Sequence, residues 1–175
     1  MRILVLLLLS LTVAFAQNGE PRAGSLKTKV NPGRAGVFID GKYVGSAANH
    51  KRAHNFNLNA GEHQVVLVDP RYEEFKTKVT IVAGQTLTLE QKLQARPKPQ
   101  GPFGRIRTMG FDKYAAVYLN GKFYAHADEL SNFTQGLLIP AGEYQLRVES
   151  MTGAPVHEEK VKIEVGKITI VKKAH

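Results

Sequence analysis

The amino-acid sequence predicts an all-β protein, two tandem small antiparallel β-sandwiches joined by a Pro-rich linker. Three observations carry this. Two phrases occur twice, in the same order and at nearly the same offset. Asp40-Gly41-Lys42-Tyr43 returns as Asn120-Gly121-Lys122-Phe123, 80 positions on, and Ala60-Gly61-Glu62-His63-Gln64 returns as Ala141-Gly142-Glu143-Tyr144-Gln145, 81 positions on. Apolar residues recur with a period of two, the pattern of a half-buried strand. No window of a dozen residues shows a helical period.

Residues 1–16 read as a secretory signal peptide. Arg2 supplies the positive start, residues 3–11 are apolar but for Ser10, and Ala14-Phe15-Ala16 is a small-x-small cleavage site. This stretch is shorter than the ~20 apolar residues of a spanning helix. Lys, Asp or Gly interrupts every later apolar run, so no transmembrane segment is expected. The expectation is a soluble protein, secreted or periplasmic. Residues 17–23 form a polar lead-in.

The first unit covers residues 24–93. Leu26, Thr28 and Val30 alternate with Ser25, Lys27 and Lys29, and Phe75, Thr77, Val79 and Ile81 alternate with Lys76, Lys78 and Thr80. Each strand thus has one buried and one wet face, as antiparallel sheets allow. Residues 37–39 lead into Asp40-Gly41, which tolerates the positive φ at both central positions of a type I′ hairpin. Asn59-Ala60-Gly61 precedes the strand at 64–68. Residues 94–102 hold Pro97, Pro99 and Pro102, which favour extended, semi-rigid backbone and forbid helix; this is the linker. The second unit, 103–171, repeats the plan, with 117–119 entering Asn120-Gly121 and Val161, Ile163 and Val165 alternating with Lys160, Lys162 and Glu164. Residues 172–175 are a basic tail.

The run Asn31-Pro32-Gly33-Arg34-Ala35-Gly36-Val37-Phe38-Ile39-Asp40-Gly41-Lys42-Tyr43-Val44-Gly45 resembles the opening of a PEGA domain: Pro-x-Gly-Ala, a strand, Asp-Gly and a second Gly. Leu58-Asn59-Ala60-Gly61-Glu62-His63-Gln64-Val65 resembles that family's later Leu-x-x-Gly-x-His-x-Val segment. Pro70-Arg71-Tyr72 stands at its Gly-Tyr corner, with Arg71 in place of Gly. The second unit departs further: Phe111-Asp112-Lys113-Tyr114 replaces the Pro-Gly turn and Ala125 the second Gly, while Leu138-Ile139-Pro140-Ala141-Gly142-Glu143-Tyr144 matches well. The resemblance implies a prealbumin-like β-sandwich in each copy, common in bacterial and archaeal envelope and surface proteins. It names no catalytic residue.

Composition narrows the chemistry. The chain has no Cys, which removes thiol catalysis, cysteine metal sites and stabilising disulfides, and with them the expectation of a lipid-anchored lipoprotein. Stability must then come from packing, so two units near the lower size limit for an independent core gain by packing on each other. The formal charge is +9, which draws an exported protein to anionic neighbours. Nucleic acid is not expected, because no basic patch is interleaved with exposed aromatics.

Catalytic signatures are missing. Glu73-Glu74 and Glu158-Glu159 are adjacent acids on predicted strands, where neighbours point to opposite faces. His50 and His54 flank the cations Lys51 and Arg52, which oppose metal binding. No Gly-x-Ser-x-Gly or phosphate-cradling motif occurs. No enzyme, cofactor or metal is expected. Two features remain. Basic strand faces carry Lys27, Lys29, Lys76 and Lys78, with Arg105, Arg107, Lys160 and Lys162 in the second unit. The connection at 48–52 is basic, with Lys51 and Arg52, where its counterpart at 128–132 is acidic, with Asp128 and Glu129; these loops suit pairing between domains or chains. With Tyr124 as an aromatic platform, Lys27, Lys29, Lys51, Arg52, Lys76, Lys78, Asp128 and Glu129 form the candidate ligand or partner surface. The function this supports is non-enzymatic binding or scaffolding in the envelope or outside the cell, through sandwich surfaces and edges. The partner is an envelope protein or, alternatively, a surface glycan or other anionic polymer. A periplasmic hydrolase is the remote alternative.

Overall fold

The computed structural model describes residues 23–49, 52–131 and 137–174. The expected signal peptide, residues 17–22 of the lead-in, His50, Lys51 and Asn132 lie outside the described residues. The first unit contains β1 (Ala23–Asn31), β2 (Gly36–Ile39), β3 (Lys42–Ser46), β4 (Ala48–Asn49), β5 (Arg52–Asn59), β6 (Gly61–Val68), β7 (Phe75–Ile81) and β8 (Thr86–Lys92). They form two sheets, ordered β4-β5-β1-β8 and β3-β2-β6-β7. The second unit contains β9 (Phe103–Met109), β10 (Ala116–Leu119), β11 (Lys122–His126), α1 (Ala127–Ser131), β12 (Leu138–Pro140), β13 (Gly142–Glu149), β14 (Pro155–Ile163) and β15 (Ile168–Lys172). Its sheets run β12-β9-β15 and β11-β10-β13-β14. The all-β expectation holds, and the second unit repeats the first. In both, the opening strand pairs parallel with the last one, β1 with β8 and β9 with β15.

The doubled phrases are contact partners. Asp40 and Gly41 have φ of 50° and 79°, and Asn120 and Gly121 of 50° and 75°, the left-handed pair a type I′ turn requires. The Asp40 carboxylate accepts the Gln64 N–H at 2.9 Å, and the Asn120 side-chain carbonyl accepts the Gln145 N–H at 2.9 Å. The turn phrase therefore needs the Gln of the second phrase beside it. Two motifs far apart in sequence are one hydrogen-bonded unit in each copy.

Each core sits between its two sheets. In the first, Leu26, Val37, Val65 and Leu67 are fully buried; in the second, Ile139, Val117, Leu146 and Val148 are. Thr28 and Thr108 occupy equivalent buried positions. Each hydroxyl donates to a carbonyl, of Ala47 and Ala127 respectively, at 2.7 Å. Burying a hydroxyl without such a bond is costly.

Three departures from the sequence reading have local causes. First, α1 stands where the first unit has β4, although no helical period marks it. It is one turn long, with Ala127 and Leu130 buried. The Glu129 carboxylate accepts the His126 N–H at 3.0 Å, the reciprocal half of a capping box. His126 in place of the usual Ser or Thr hides that signature. Second, Glu73-Glu74 lie in the connection before β7, not on a strand. Third, the linker is pinned at its start. Tyr72 bridges Ala95, and the Arg96 N–H donates to the Arg71 carbonyl at 2.9 Å.

The units pack through like sheets. The outer faces of β2, β3, β10 and β11 meet in a separate buried cluster of Tyr43, Ala116, Tyr118 and Phe123, flanked by Phe38 and Val68. The four residues of β10 are all buried, because one face meets its own core and the other meets the first unit. A Cβ at Gly36 would lie 2.8 Å from the Phe123 ring, so glycine is what lets the ring approach the β2 backbone.

Candidate functional site: the groove between the sandwiches

Beside the aromatic interface the two units enclose an open groove of about 740 Å³. Its floor is the outer face of β6 and β7, which alternation turns away from the first core: Gln64, Val66 and Lys76. The second unit supplies the facing wall through Tyr118, Lys122, Tyr124 and Tyr144, and the linker adds Arg96.

The rings are fixed. The Tyr124 hydroxyl donates to the Leu138 carbonyl at 2.9 Å and the Tyr144 hydroxyl to the Pro140 carbonyl at 2.8 Å. Burial pushes the Tyr124 hydroxyl up to about 12, so it remains a donor at neutral pH. Both acids of the groove are paired. Glu74 lies 2.8 Å from Lys76, and Asp69 is held by Arg71 through two bonds of 2.9 and 2.6 Å. Arg96 and Lys122 tip the groove to positive. Gln64 and Asn120 add amides; the Asn120 carbonyl is spent on its turn, which leaves its NH₂ to donate. Fixed aromatic faces, amides and excess positive charge suit a polar, anionic chain with apolar ring faces.

A second constellation adjoins the interface, joined to the groove through Arg71. The Tyr43 hydroxyl is 2.6 Å from His126 Nδ1 and 3.0 Å from the Tyr114 carbonyl, and His126 Nε2 is 2.9 Å from the Arg34 carbonyl. Arg34 reaches Asp128 at 2.6 Å and Glu129 at 3.0 Å, with Arg71 4.0 Å from Glu129. The acidic segment, helix α1 rather than a loop, therefore meets the first unit, but the ion pairs among the described residues go to Arg34 and Arg71 and not to the 48–52 connection that its charge suggests. Arg34 stands in the β1–β2 turn, a residue that sequence reasoning left in the turn motif.

Burial holds the His126 imidazole below its ordinary value, against the pull of Glu129 and Asp128. A histidine with a lowered folded-state value binds its proton more readily when unfolded. Its share of stability is present above about pH 6.5 and is lost as the pH falls toward the folded value. His63 has the opposite sign. Its bond to Asp40 raises it, so that contribution is full in acid and fades as the pH rises through the folded value. The informative quantity is thus a difference. His126→Gln is expected to retain more of its pH 7.5 stability at pH 5.0 than the native chain, in denaturant titrations. Equal acid losses would show that His126 does not titrate in the interface.

The remaining sequence candidates separate. Lys27 and Lys29 project from β1 on the outer face of one sheet, and Lys29 lies 3.8 Å from Glu90. Lys76 and Lys78 project from β7 on the outer face of the other sheet, Lys78 being paired with Glu62 at 2.8 Å. These faces point in opposite directions, so the four lysines form no single stripe. Lys76 and Tyr124 share the groove. Arg52 opens β5, and Lys51 is outside the described residues. Residues missed as groove members are Gln64, Arg96, Lys122 and Tyr144. The only sequence signal near them is that Gln64, Lys122 and Tyr144 fall inside the doubled phrases.

Comparison with known proteins agrees with the first half of the chain. Residues 23–97 match the PEGA domain family. No curated protein matches the chain. Among solved structures, the Bacillus anthracis TIE protein is similar at 17% identity and a TM-score of 0.33, over 86% of this chain and 34% of that one. The SGBP-B protein of the Bacteroides ovatus mixed-linkage glucan utilization locus, solved with a mixed-linkage heptasaccharide, is similar at 18% identity and a TM-score of 0.23, over 87% and 43%. This chain thus spans less than half the length of either.

Proposed function

We propose that this chain is a non-enzymatic binding protein of the envelope or extracellular space, built from two PEGA-like sandwiches, whose groove holds an acidic glycan. One observation carries the reading: the aromatic and cationic side chains of both units share one groove, with Tyr124 and Tyr144 across from Lys76 and Arg96. The non-enzymatic part is supported by the two groove acids, Glu74 and Asp69, each tied to a cation rather than poised as acid or base. The second PEGA-like copy is supported by the repeated turn-to-Gln bond and the matching threonines. Export is supported by the signal-peptide pattern of residues 1–16.

Polygalacturonate is the acidic probe and dextran the neutral one. In calorimetry at low salt the chain is expected to bind polygalacturonate and not dextran, more weakly as salt screens the charges. Tyr124→Ala is expected to lower the affinity about tenfold, or ~1.4 kcal/mol, and Lys76→Glu by a similar factor. No binding at low salt, or binding that neither substitution changes, would remove the proposal.

A further inference from the structure

The outer faces of the two opening sheets are built from opposite chemistries. In the first unit Ser25 and Lys27 stand between Asn57 and Asn55 on β5 and Thr86 and Thr88 on β8, with Lys29 beside Glu90. That face carries no large apolar side chain at these positions. In the second unit Arg105 stands between Leu138 on β12 and Ile168 on β15, Arg107 beside Ile170, and Met109 beside Lys172. Leu138 and Ile170 are 50% and 51% exposed, and Ile168 and Met109 are each 40% exposed. Strand alternation explains the orientation. Gly104, Ile106 and Thr108 fill the core side of β9, so Arg105, Arg107 and Met109 must point out. β9, β12 and β15 contain no Asp or Glu. The unit's other sheet meets the first sandwich, so this face looks away from the aromatic interface, and its β12 end borders the groove at Pro140.

We infer that this face docks on an anionic lipid surface. Exposed aliphatic side chains separated by guanidinium and ammonium groups suit the boundary between acyl chains and headgroups. The aliphatics leave water there, while arginine meets phosphate with a planar fork. Ile168 and Ile170 are next neighbours on the outer side of β15, and exposed aliphatic side chains grouped on one face mark a contact site. Charge selects the occupant. A second copy applied face to face would bring Arg105 and Lys172 against their own equivalents and desolvate like charges. A peptide added at the edge of β15 would pair with that strand's backbone and leave the broad side of the sheet, with Leu138, Ile168 and Ile170, uncovered.

Flotation of the full chain with vesicles tests this. The vesicles contain phosphatidylcholine with a quarter phosphatidylglycerol, or phosphatidylcholine alone. Two variants are compared with the native chain, Ile168→Ser/Ile170→Ser and Arg105→Glu/Lys172→Glu. All three share residues 1–22, so the leader contributes equally. The native chain is expected to partition at least tenfold better into anionic vesicles. Reversing the two cations is expected to lower that partition about twentyfold or more, and the serine pair at least fivefold. The charge variant alters only exposed side chains, so it decides the question if the serine pair fails to fold. Unchanged partition of the charge variant, or equal binding to both vesicle types, would overturn the inference. So would a native dimer that the charge variant dissociates, because a second copy would then occupy the face. Lys76→Gln, on the groove floor in the first unit and apart from β9, β12 and β15, should leave vesicle binding intact, which separates failure of this face from failure of the groove.

Discussion

Phe123→Ala is expected to uncouple the two sandwiches. Phe123 belongs to the second unit, is 7% exposed, and is the hub of the interface. Its ring stacks on Tyr43 at 5.7 Å, meets Phe38 edge-on at 5.8 Å, and lies 5.3 Å from His126. Truncating a buried phenylalanine costs about 3–5 kcal/mol through lost transfer energy and the cavity left behind. Here most of that loss falls on the interface, since each sandwich keeps its own separate core. The native chain is expected to unfold in one transition and the variant in two, with a larger radius of gyration by X-ray scattering. Affinity for the polygalacturonate probe should fall with it, because Phe123 also lines the groove. A variant with one transition, an unchanged midpoint and an unchanged radius would mean that the aromatic cluster does not hold the units together.

The other large effect concerns Gly24 and Gly104, equivalent positions near the start of β1 and β9. In each, the closing turn of the sandwich presses on the glycine. A Cβ at Gly24 would collide with the Val82 carbonyl oxygen and lie 2.7 Å from Ile81 Cγ2. At Gly104 it would collide with the Glu164 carbonyl oxygen and lie 2.7 Å from Ile163 Cγ2. The carbonyls cannot swing aside, because the turns are bonded back to the same strands. The Gly84 N–H donates to the Ala23 carbonyl at 2.9 Å and the Gly166 N–H to the Phe103 carbonyl at 2.8 Å. Ordinary overpacking costs about 1–3 kcal/mol, and a backbone collision should exceed that. A unit of roughly 70 residues has only about 4–10 kcal/mol in hand. Gly24→Ala is therefore expected to unfold mainly the first sandwich and Gly104→Ala mainly the second, visible as loss of one set of amide resonances. Melting temperatures within a degree of the native value for both variants would refute the backbone collision at these sites.

What could be read from sequence was local. Asp40-Gly41 and Asn120-Gly121 declare their turn because few other dipeptides accept two positive φ values, and the turn forms with little help from its surroundings. The strands declare themselves by alternation, since a half-buried sheet needs one apolar face. The one-turn helix was illegible because five residues are shorter than any periodicity window, and because a histidine sits where a capping serine would have signalled it. Gly24 and Gly104 gave no sign, since the atoms that exclude a Cβ come from turns roughly 60 residues later.

The site was less legible than the fold. Lys76 and Tyr124 were singled out for charge and aromaticity, and they do line one groove. Lys27 and Lys29, chosen on the same grounds, lie on the opposite face of the first sandwich, because period-two alternation says which residues are wet and not which sheet they belong to. Arg34 reads as a turn residue in its own unit, and its guanidinium meets Asp128 and Glu129 only after the units dock. By itself the sequence determined the duplication, the hairpins, the alternating strands and the positive charge, all properties of short stretches of backbone. Tertiary structure alone decided that Phe123 rests on Gly36, that the acidic turn finds Arg34, and that a groove opens between like sheets. Those contacts join residues roughly 90 positions apart, and their energy exists only once both sandwiches have folded and met.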